Sequence, residues 1–251
     1  MELFTCPLCT LPFRREDGAL KCASGHSFDL SREGYVNLLA VQHRGSKAPG
    51  DNPQMIAARR AFLDAGHYQP LAQALLEEVH PDVAAVVDLG CGDGYFSMAL
   101  LERCAAVYGI DVSRAAIRAA CKRSGALNLA VASSARLPFA TGSFDAATVM
   151  MAPLGRDTVR VIRPGGWLYR VSAGADHLRQ LKALLYPEVR PHQRANLDLP
   201  GLKLTSTRRV VFEFEVGSES LQQLIAMTPM RYRVESARRE AAARLAPLTI
   251  S

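Results

Sequence analysis

Three cysteines and one histidine near the start of the chain have the types and the spacing of a metal site. Cys6 and Cys9 form one close pair, and Cys22 and His26 form a second pair after twelve intervening residues. Two short-spaced pairs separated in this way are typical of a tetrahedral Zn²⁺ site. Three thiolates and one imidazole complete the metal shell, so we predict a structural zinc ion with no position for a catalytic water. Ordinary buried cysteines are the alternative. Disulfides are not expected, because no signal-peptide pattern precedes these residues.

A glycine-rich segment in the middle of the chain is the second feature that could do chemistry. Residues 88–94 are Asp-Leu-Gly-Cys-Gly-Asp-Gly. The apolar run 84–89 predicts a strand buried on both faces, and the residues after the glycines have helical periodicity. Glycines at such a junction let the backbone approach a ligand closely and leave N–H groups free at the start of the helix. A second predicted strand ends in Asp111, where a βαβ unit places a carboxylate for a ribose, and Ser113 is the predicted N-cap of the next helix.

The kind of nucleotide follows from the loop and from three later motifs. The loop is one residue tighter than the dinucleotide-binding pattern, which argues against a pyrophosphate ligand. The later motifs are at 132–139, 143–145 and 163–167. In this order the four motifs resemble the S-adenosylmethionine-dependent methyltransferases over about residues 80–175. The resemblance implies an α/β fold, a Rossmann-like seven-stranded methyltransferase domain. Ser133 is at the position where this class often has Asp to bind the adenine amino group.

Three further segments, 34–39, 49–51 and 57–70, together with the metal motif, resemble the ribosomal RNA large-subunit methyltransferase A (RlmA) family from residue 1 to about residue 235. The resemblance implies methylation of N1 of a guanine in hairpin 35 of 23S rRNA, and a homodimer. The implied cofactor site consists of Tyr68, Asp88, Gly90, Gly92, Asp93, Gly94, Asp111, Ser133 and His177. For Tyr68 the alternative is packing under the second helix, and for His177 it is an exposed position in a first helical turn. No catalytic base is assigned.

The composition and the net charge are consistent with a globular protein that binds a polyanion such as RNA. The chain has 251 residues, 49% of them hydrophobic, enough to bury a core with room for a small second module. A net charge of +6 suits an RNA partner, and a solvated basic surface is the alternative. No apolar run is long enough for a membrane span, and we expect a cytoplasmic protein. Candidates for phosphate contacts are Arg44, Lys47, Arg59, Arg60, Arg136, Arg208, Arg209, Arg231 and Arg233.

The predicted organisation has three parts. They are a zinc-binding module over 1–33, a basic loop with connecting helices over 34–79, and the methyltransferase domain over 80–251. Periodicity and turn residues predict helices over 53–63, 70–79, 176–186 and 219–227, strands over 210–216 and 247–250, and a loop over 187–201.

Three functions are compatible with these features. The first is the rRNA methyltransferase. The second is a methyltransferase that acts on a small molecule, such as a quinone, with a structural zinc module. The third is a non-catalytic zinc-ribbon RNA-binding protein with a decayed cofactor domain, which the intact glycine loop and Asp111 argue against.

Overall fold

The structure, a computed structural model, describes residues 1–39, 50–192 and 195–250. The predicted basic stretch with Arg44 and Lys47 lies outside these ranges. The chain forms two compact units. The sheet unit consists of residues 1–53 and 75–171, and the C-terminal unit consists of residues 54–74 and 172–251. The three-part division at residues 33 and 79 remains a prediction. No helix in the described ranges is long and apolar enough to cross a membrane.

The sheet unit begins with a small antiparallel sheet that contains the metal motif. Its strands are β1 (Phe13–Glu16), β2 (Ala19–Cys22) and β3 (Ser27–Asp29), in that order. Asp17 and Gly18 connect β1 to β2 and have φ angles of 49° and 75°. An Asp-Gly pair with two positive φ angles makes the tight two-residue turn that joins twisted antiparallel strands. The local sequence therefore determines this hairpin.

The larger sheet has six strands, all paired in parallel. They are β4 (Val36–Asn37), β5 (Ala85–Leu89), β6 (Ala106–Asp111), β7 (Asn128–Val131), β8 (Phe144–Met150) and β9 (Ile162–Val171). The spatial order is β4-β7-β6-β5-β8-β9, so the order reverses between β5 and β8. The connecting helices are α3 (Tyr95–Leu100), α4 (Arg114–Cys121) and α5 (Thr158–Val161). Ligands of open parallel sheets bind at such a reversal, beyond the carboxyl ends of the strands.

The C-terminal unit is mainly helical. Its elements are α1 (Pro53–Asp64), α2 (Gln69–Glu78), α6 (Arg179–Leu185), β10 (Phe214–Val216), α7 (Ser218–Ala226), α8 (Met230–Arg233), α9 (Ser236–Arg244) and β11 (Leu248–Ile250). The first residue of α1 and the last turn of α2 belong to the residues of the sheet unit. β10 and β11 form a separate antiparallel pair, so the described part of the six-stranded sheet does not contain them. The predicted strand over 210–216 begins only at Phe214. The predicted helix from 176 begins at Arg179, because Leu178 has a left-handed φ of 55°.

One hydrophobic core joins the metal-binding sheet to the parallel sheet. Phe4 is fully buried and stacks on Phe139 with ring centroids 5.1 Å apart. Its ring also meets Tyr108 edge-on at 5.3 Å. The backbone N–H of Thr5 donates to the carbonyl of Pro138 at 2.8 Å. The metal-binding module is therefore part of the sheet unit's core and shares its packing energy.

Candidate zinc and cofactor sites

The structure brings the four predicted metal ligands together. The ligand atoms of Cys6, Cys9, Cys22 and His26 all lie within 4.8 Å of one another. The Sγ atoms of Cys9 and Cys22 are 3.6 Å apart, and His26 Nδ1 is 3.4–3.5 Å from the Sγ atoms of Cys22 and Cys6. Tetrahedral zinc bonded to sulfur and nitrogen requires edges of about 3.8 Å between sulfurs and about 3.6 Å between sulfur and nitrogen. These distances fit zinc, and 3.6 Å is far too long for a disulfide.

Local backbone hydrogen bonds hold the ligands in place. The N–H of Thr10 donates to the carbonyl of Cys6 at 2.8 Å, which closes the turn between the first two ligands. The N–H groups of Cys22 and Gly25 close the second turn by donating to the carbonyls of His26 and Cys22, each at 3.0 Å. A hydrogen bond from the Leu11 backbone N–H lowers the pKa of the Cys9 thiol to about 6. That shift favours the thiolate, which is the form that binds a metal.

The glycine loop follows β5, at the reversal of the strand order. Gly90, Gly92 and Gly94 have φ angles of 78°, 57° and 80°, in the left-handed region that favours glycine. A Cβ atom on Gly90 would lie 2.8 Å from the Ala152 Cβ, and one on Gly94 would lie 3.0 Å from the Ala120 Cβ. Backbone conformation therefore disfavours a side chain at all three glycines, and close neighbours also exclude one at Gly90 and Gly94.

The N–H groups of the three glycines have partners within the protein, and the free N–H groups expected at the start of the helix remain a prediction. Gly90 donates to the carbonyl of Ile110 at 2.9 Å, and Gly94 donates to that of Cys91 at 3.0 Å. Gly92 donates to Asp111 Oδ2 at 3.0 Å. Tight turns satisfy their own backbone donors where a carbonyl or carboxylate is in reach. The glycines thus shape the loop and allow a ligand to approach its backbone closely.

Asp111 ends β6 beside the glycine loop. Besides its bond with Gly92, its Oδ1 accepts from the N–H of Ser113 at 2.8 Å. The Ser113 hydroxyl accepts from the Ala116 N–H at 3.2 Å, which confirms the predicted N-cap of α4. A carboxylate can accept about four hydrogen bonds, so these two bonds leave Asp111 compatible with ribose hydroxyls as further donors. The shape of the loop and this carboxylate fit a nucleoside cofactor.

Asp88 lies at the centre of a buried hydrogen-bond network. Its side chain accepts from the Ser97 hydroxyl at 2.6 Å and from the Thr148 hydroxyl at 3.0 Å, one on each oxygen. The residue is 1% exposed, and burial raises the pKa of its carboxyl to about 6. The network ties β5 to α3 and β8. Its predicted contact with the cofactor remains a prediction.

Asp93 and Ser133 have partners within the protein. The Asp93 side chain is 2% exposed and forms an ion pair with Arg123. Ser133 follows β7, and its hydroxyl accepts from the N–H of Ala135 at 3.2 Å. This bond leaves the hydroxyl proton of Ser133 able to donate to a ligand. Sequence reasoning missed Arg123, Ser97 and Thr148, since none of the three stands in a recognisable motif.

Tyr68 and His177 belong to the C-terminal unit. Tyr68 is 5% exposed among the rings of Phe62, Phe212 and Phe214, and burial raises the pKa of its hydroxyl to about 12. His177 is half-buried, and its pKa is lowered to about 4, mainly by burial and also by the charge of Lys182. Tyr68 is thus packed among rings of α1 and of the segment that leads into β10. The role of either residue toward the cofactor remains a prediction.

Comparison with known proteins places both sites in one family. A profile of the RlmA N-terminal zinc ribbon matches residues 4–47, and a methyltransferase-domain profile matches residues 86–166. The 23S rRNA (guanine(748)-N(1))-methyltransferase of Streptomyces fradiae is 35% identical over 237 residues, which cover 89% of this chain and 84% of that one. A candidate 23S rRNA (guanine-N(1)-)-methyltransferase of Micromonospora griseorubida is 37% identical, over 70% of this chain and 67% of its own.

Solved structures of methyltransferases are also similar, at a lower level. An S-adenosylmethionine-dependent methyltransferase of Aquifex aeolicus aligns with a TM-score of 0.44 at 16% identity, over 57% of this chain and 79% of its own. This similarity is too low to support a function.

The fold, the glycine loop and the domain match define an S-adenosylmethionine-dependent methyltransferase that carries a zinc ribbon. Its cofactors are S-adenosylmethionine and zinc. At 35% identity over 89% of its length, the chain belongs to the RlmA family of 23S rRNA (guanine-N1)-methyltransferases.

Proposed function

We propose that the protein transfers the methyl group of S-adenosylmethionine to N1 of a guanine in hairpin 35 of 23S rRNA. The observation that carries the proposal is the coexistence, on one core, of the complete cysteine–histidine cluster and the glycine-loop site. The cluster lies in the segment that matches the RlmA zinc ribbon, and the loop lies in the segment that matches a methyltransferase domain. The 35% identity to the Streptomyces fradiae enzyme supports guanine N1 as the methylated atom.

Within this proposal the three predicted parts have separate tasks. Residues 1–33 hold zinc through Cys6, Cys9, Cys22 and His26 and present a surface to RNA. Residues 34–79 connect and contribute basic side chains. Residues 80–251 hold the cofactor, with Asp111 accepting from its ribose and Gly90, Gly92 and Gly94 allowing its close approach. Cofactor contacts of Tyr68, Asp88, Ser133 and His177 stay within the proposal.

The chemistry is a direct displacement. S-adenosylmethionine, when bound, supplies a methyl group on a positively charged sulfur. The protein's task is to align guanine N1 with that methyl group and to exclude water, because positioning supplies most of the rate in such a transfer. The N1 proton must also leave. Asp88 is held by two hydroxyls and Asp93 by Arg123, so we assign neither as the base. A splayed-out guanine would give the enzyme access to N1.

The RNA contact rests on charge. The zinc site has no open position for chemistry, and the exposed Arg14 and Arg15 of β1 lie in the same module. Of the candidates named from the sequence, Arg59 donates to the carbonyl of Met227 at 3.3 Å and Arg231 donates to Gln54 Oε1. Side chains engaged in this way can still contact phosphate through their other N–H groups. A homodimer, which the family resemblance implies, and the cytoplasmic location expected from the sequence complete the proposal.

The decisive experiment is mass mapping of methylated nucleotides in 23S rRNA from cells with and without this protein. We expect one N1-methylguanine in hairpin 35 that disappears on deletion and returns with the wild-type gene. A matched complementation with the Asp111→Ala variant should not restore it. An unchanged methylation map would reject the rRNA substrate and favour a small-molecule methyltransferase.

A further inference from the structure

The loop that approaches the cofactor is tied to a residue that no sequence motif identifies. Arg123 lies just beyond the end of α4, thirty positions from Asp93 in the chain. Its Nε donates to the backbone carbonyl of Asp93 at 2.9 Å and to the Oδ2 of the same residue at 3.0 Å. A terminal guanidinium nitrogen donates to the same oxygen. One side chain thus holds both the backbone and the carboxylate of Asp93.

The pair is buried, which makes its partners interdependent. The Asp93 side chain is 2% exposed and that of Arg123 is 11% exposed. The guanidinium carbon also lies 5.6 Å from the ring centroid of Tyr95, the first residue of α3. Removing one partner from a buried ion pair leaves an uncompensated charge, which costs much more than the pair itself contributes. Asp93 is therefore expected to keep its present position only while Arg123 is in place.

The glycines on either side of Asp93 are also held in place by their neighbours. Gly94, next to Asp93, is so close to α4 that a Cβ on it would lie 3.0 Å from the Ala120 Cβ. On the other side of Asp93, the N–H of Gly92 is held by Asp111. The loop is thus fixed from two directions, by Asp111 at Gly92 and by Arg123 at Asp93.

We propose that Arg123 is a positioning residue for the S-adenosylmethionine site, and that Asp93 serves the site through Arg123 without contacting the cofactor. The inference rests on the cofactor but on no particular methyl acceptor. It can therefore fail or hold independently of the rRNA substrate proposed above.

The test is titration of S-adenosylmethionine into the purified protein by calorimetry, with no RNA present. Arg123→Gln should raise the Kd for the cofactor by about tenfold, which corresponds to about 1.4 kcal/mol. The matched control is Arg118→Gln, which removes an exposed arginine of α4 paired with Glu33 and should leave the Kd unchanged. With a 23S rRNA fragment as substrate, the KM for the cofactor should rise with the Kd. The kcat of Arg123→Gln at saturating cofactor should stay within about twofold of the wild-type value. A raised KM with an unchanged kcat indicates that the variant has lost binding of the cofactor and not stabilisation of the transition state.

Two further variants separate positioning from direct contact. Asp93→Asn should weaken binding to a similar extent, and the double variant Asp93→Asn/Arg123→Gln should be no weaker than either single variant, because the two residues act as one unit. Loss of binding in Asp93→Asn with full binding in Arg123→Gln would overturn the proposal and make Asp93 a cofactor ligand. If Arg123→Gln does not fold, Arg123→Lys keeps the charge but loses the planar fork. A several-fold higher Kd in that variant supports the proposal, and a wild-type Kd rejects it.

Discussion

The zinc site and the cofactor loop are both built around tight turns, yet they are supported from very different distances along the chain. The contacts among the metal ligands join residues 4 to 20 positions apart. The side chains that hold the cofactor loop and its strand come from 19, 30 and 60 positions away in Asp111, Arg123 and Thr148. All four ligands of the local metal site can be recognised from their spacing in the sequence. The glycines and the acids of the cofactor site can also be recognised, but the distant side chains of Arg123 and Thr148 that hold them cannot.

The two sites also differ in what their loss would do. Zinc binding and folding of a small module are one equilibrium, because the unfolded chain has no preformed site. The cofactor loop stands on a large parallel sheet, and most side chains of the shared core come from residues outside the zinc module. Damage at the first site should therefore affect structure, and damage at the second should affect binding.

The largest effect is expected at the metal. Cys22→Ser removes a central ligand and should abolish stoichiometric zinc, measured by elemental analysis. Apparent binding energies of structural zinc sites are on the order of 10 kcal/mol, so thermal stability should fall steeply. Cys121→Ser is the control, because Cys121 lies outside the ligand cluster, and it should retain one zinc per chain. Zinc retained in Cys22→Ser would mean that the ligand set is different.

The next effect concerns the ribose carboxylate. Asp111→Ala should weaken S-adenosylmethionine binding by about 2–3 kcal/mol in calorimetry, because hydrogen bonds to a charged acceptor are lost. Asp145→Ala is the matched control. Its carboxylate accepts from the N–H groups of Ala84 and Ala85 at the opposite end of β5, so its removal should leave cofactor affinity intact. Equal losses in both variants would indicate general destabilisation of the sheet.

A smaller effect is expected from the pH response of Asp88. Burial raises its pKa from the ordinary 3.8 to about 6 in the folded state. The stability that it contributes is therefore complete below pH 3.8 and is lost as the pH rises through 6. Between pH 5 and pH 7, the free energy of unfolding of Asp88→Asn, measured with urea, should rise by about 1 kcal/mol relative to that of the wild type.

The difference in unfolding free energy between Asp88→Asn and the wild type at each pH excludes effects that both proteins share, such as zinc release in acid. Thr148→Ser keeps the hydroxyl donor to Asp88 and should retain the wild-type pH response. A constant difference between Asp88→Asn and the wild type across this range would contradict the raised pKa.

The smallest effect is expected in RNA binding. Replacing Arg44 and Lys47 together by alanine should weaken binding of a 23S rRNA hairpin and flatten its salt slope by about one to two units, because fewer counterions are released. Cofactor affinity should not change. The control double variant replaces Lys21 and Arg118, whose charges already pair with carboxylates. Identical salt curves for the Arg44/Lys47 variant and the wild type would identify this segment as ordinary solvated surface.

Features that depend on neighbouring residues in the chain could be predicted from the sequence alone. The spacing of Cys6, Cys9, Cys22 and His26 predicted a cluster that the structure shows. The Asp-Gly turn, the strand before the glycine loop and the N-cap at Ser113 likewise follow from local propensity and hydrogen bonding. The class of cofactor followed from the order of four motifs.

Contacts between residues that are far apart in the chain became visible only in the folded protein. Phe4 of the zinc module inserts into the core of the sheet unit, and a short apolar segment does not by itself specify the side chains that it packs against. The glycine N–H groups are used by Ile110, Cys91 and Asp111, which depends on the register of β5 and β6. Asp93 meets Arg123 because α4 ends beside the loop. Pairing of distant charges is fixed by how helices and strands pack, and no spacing rule in the sequence encodes it.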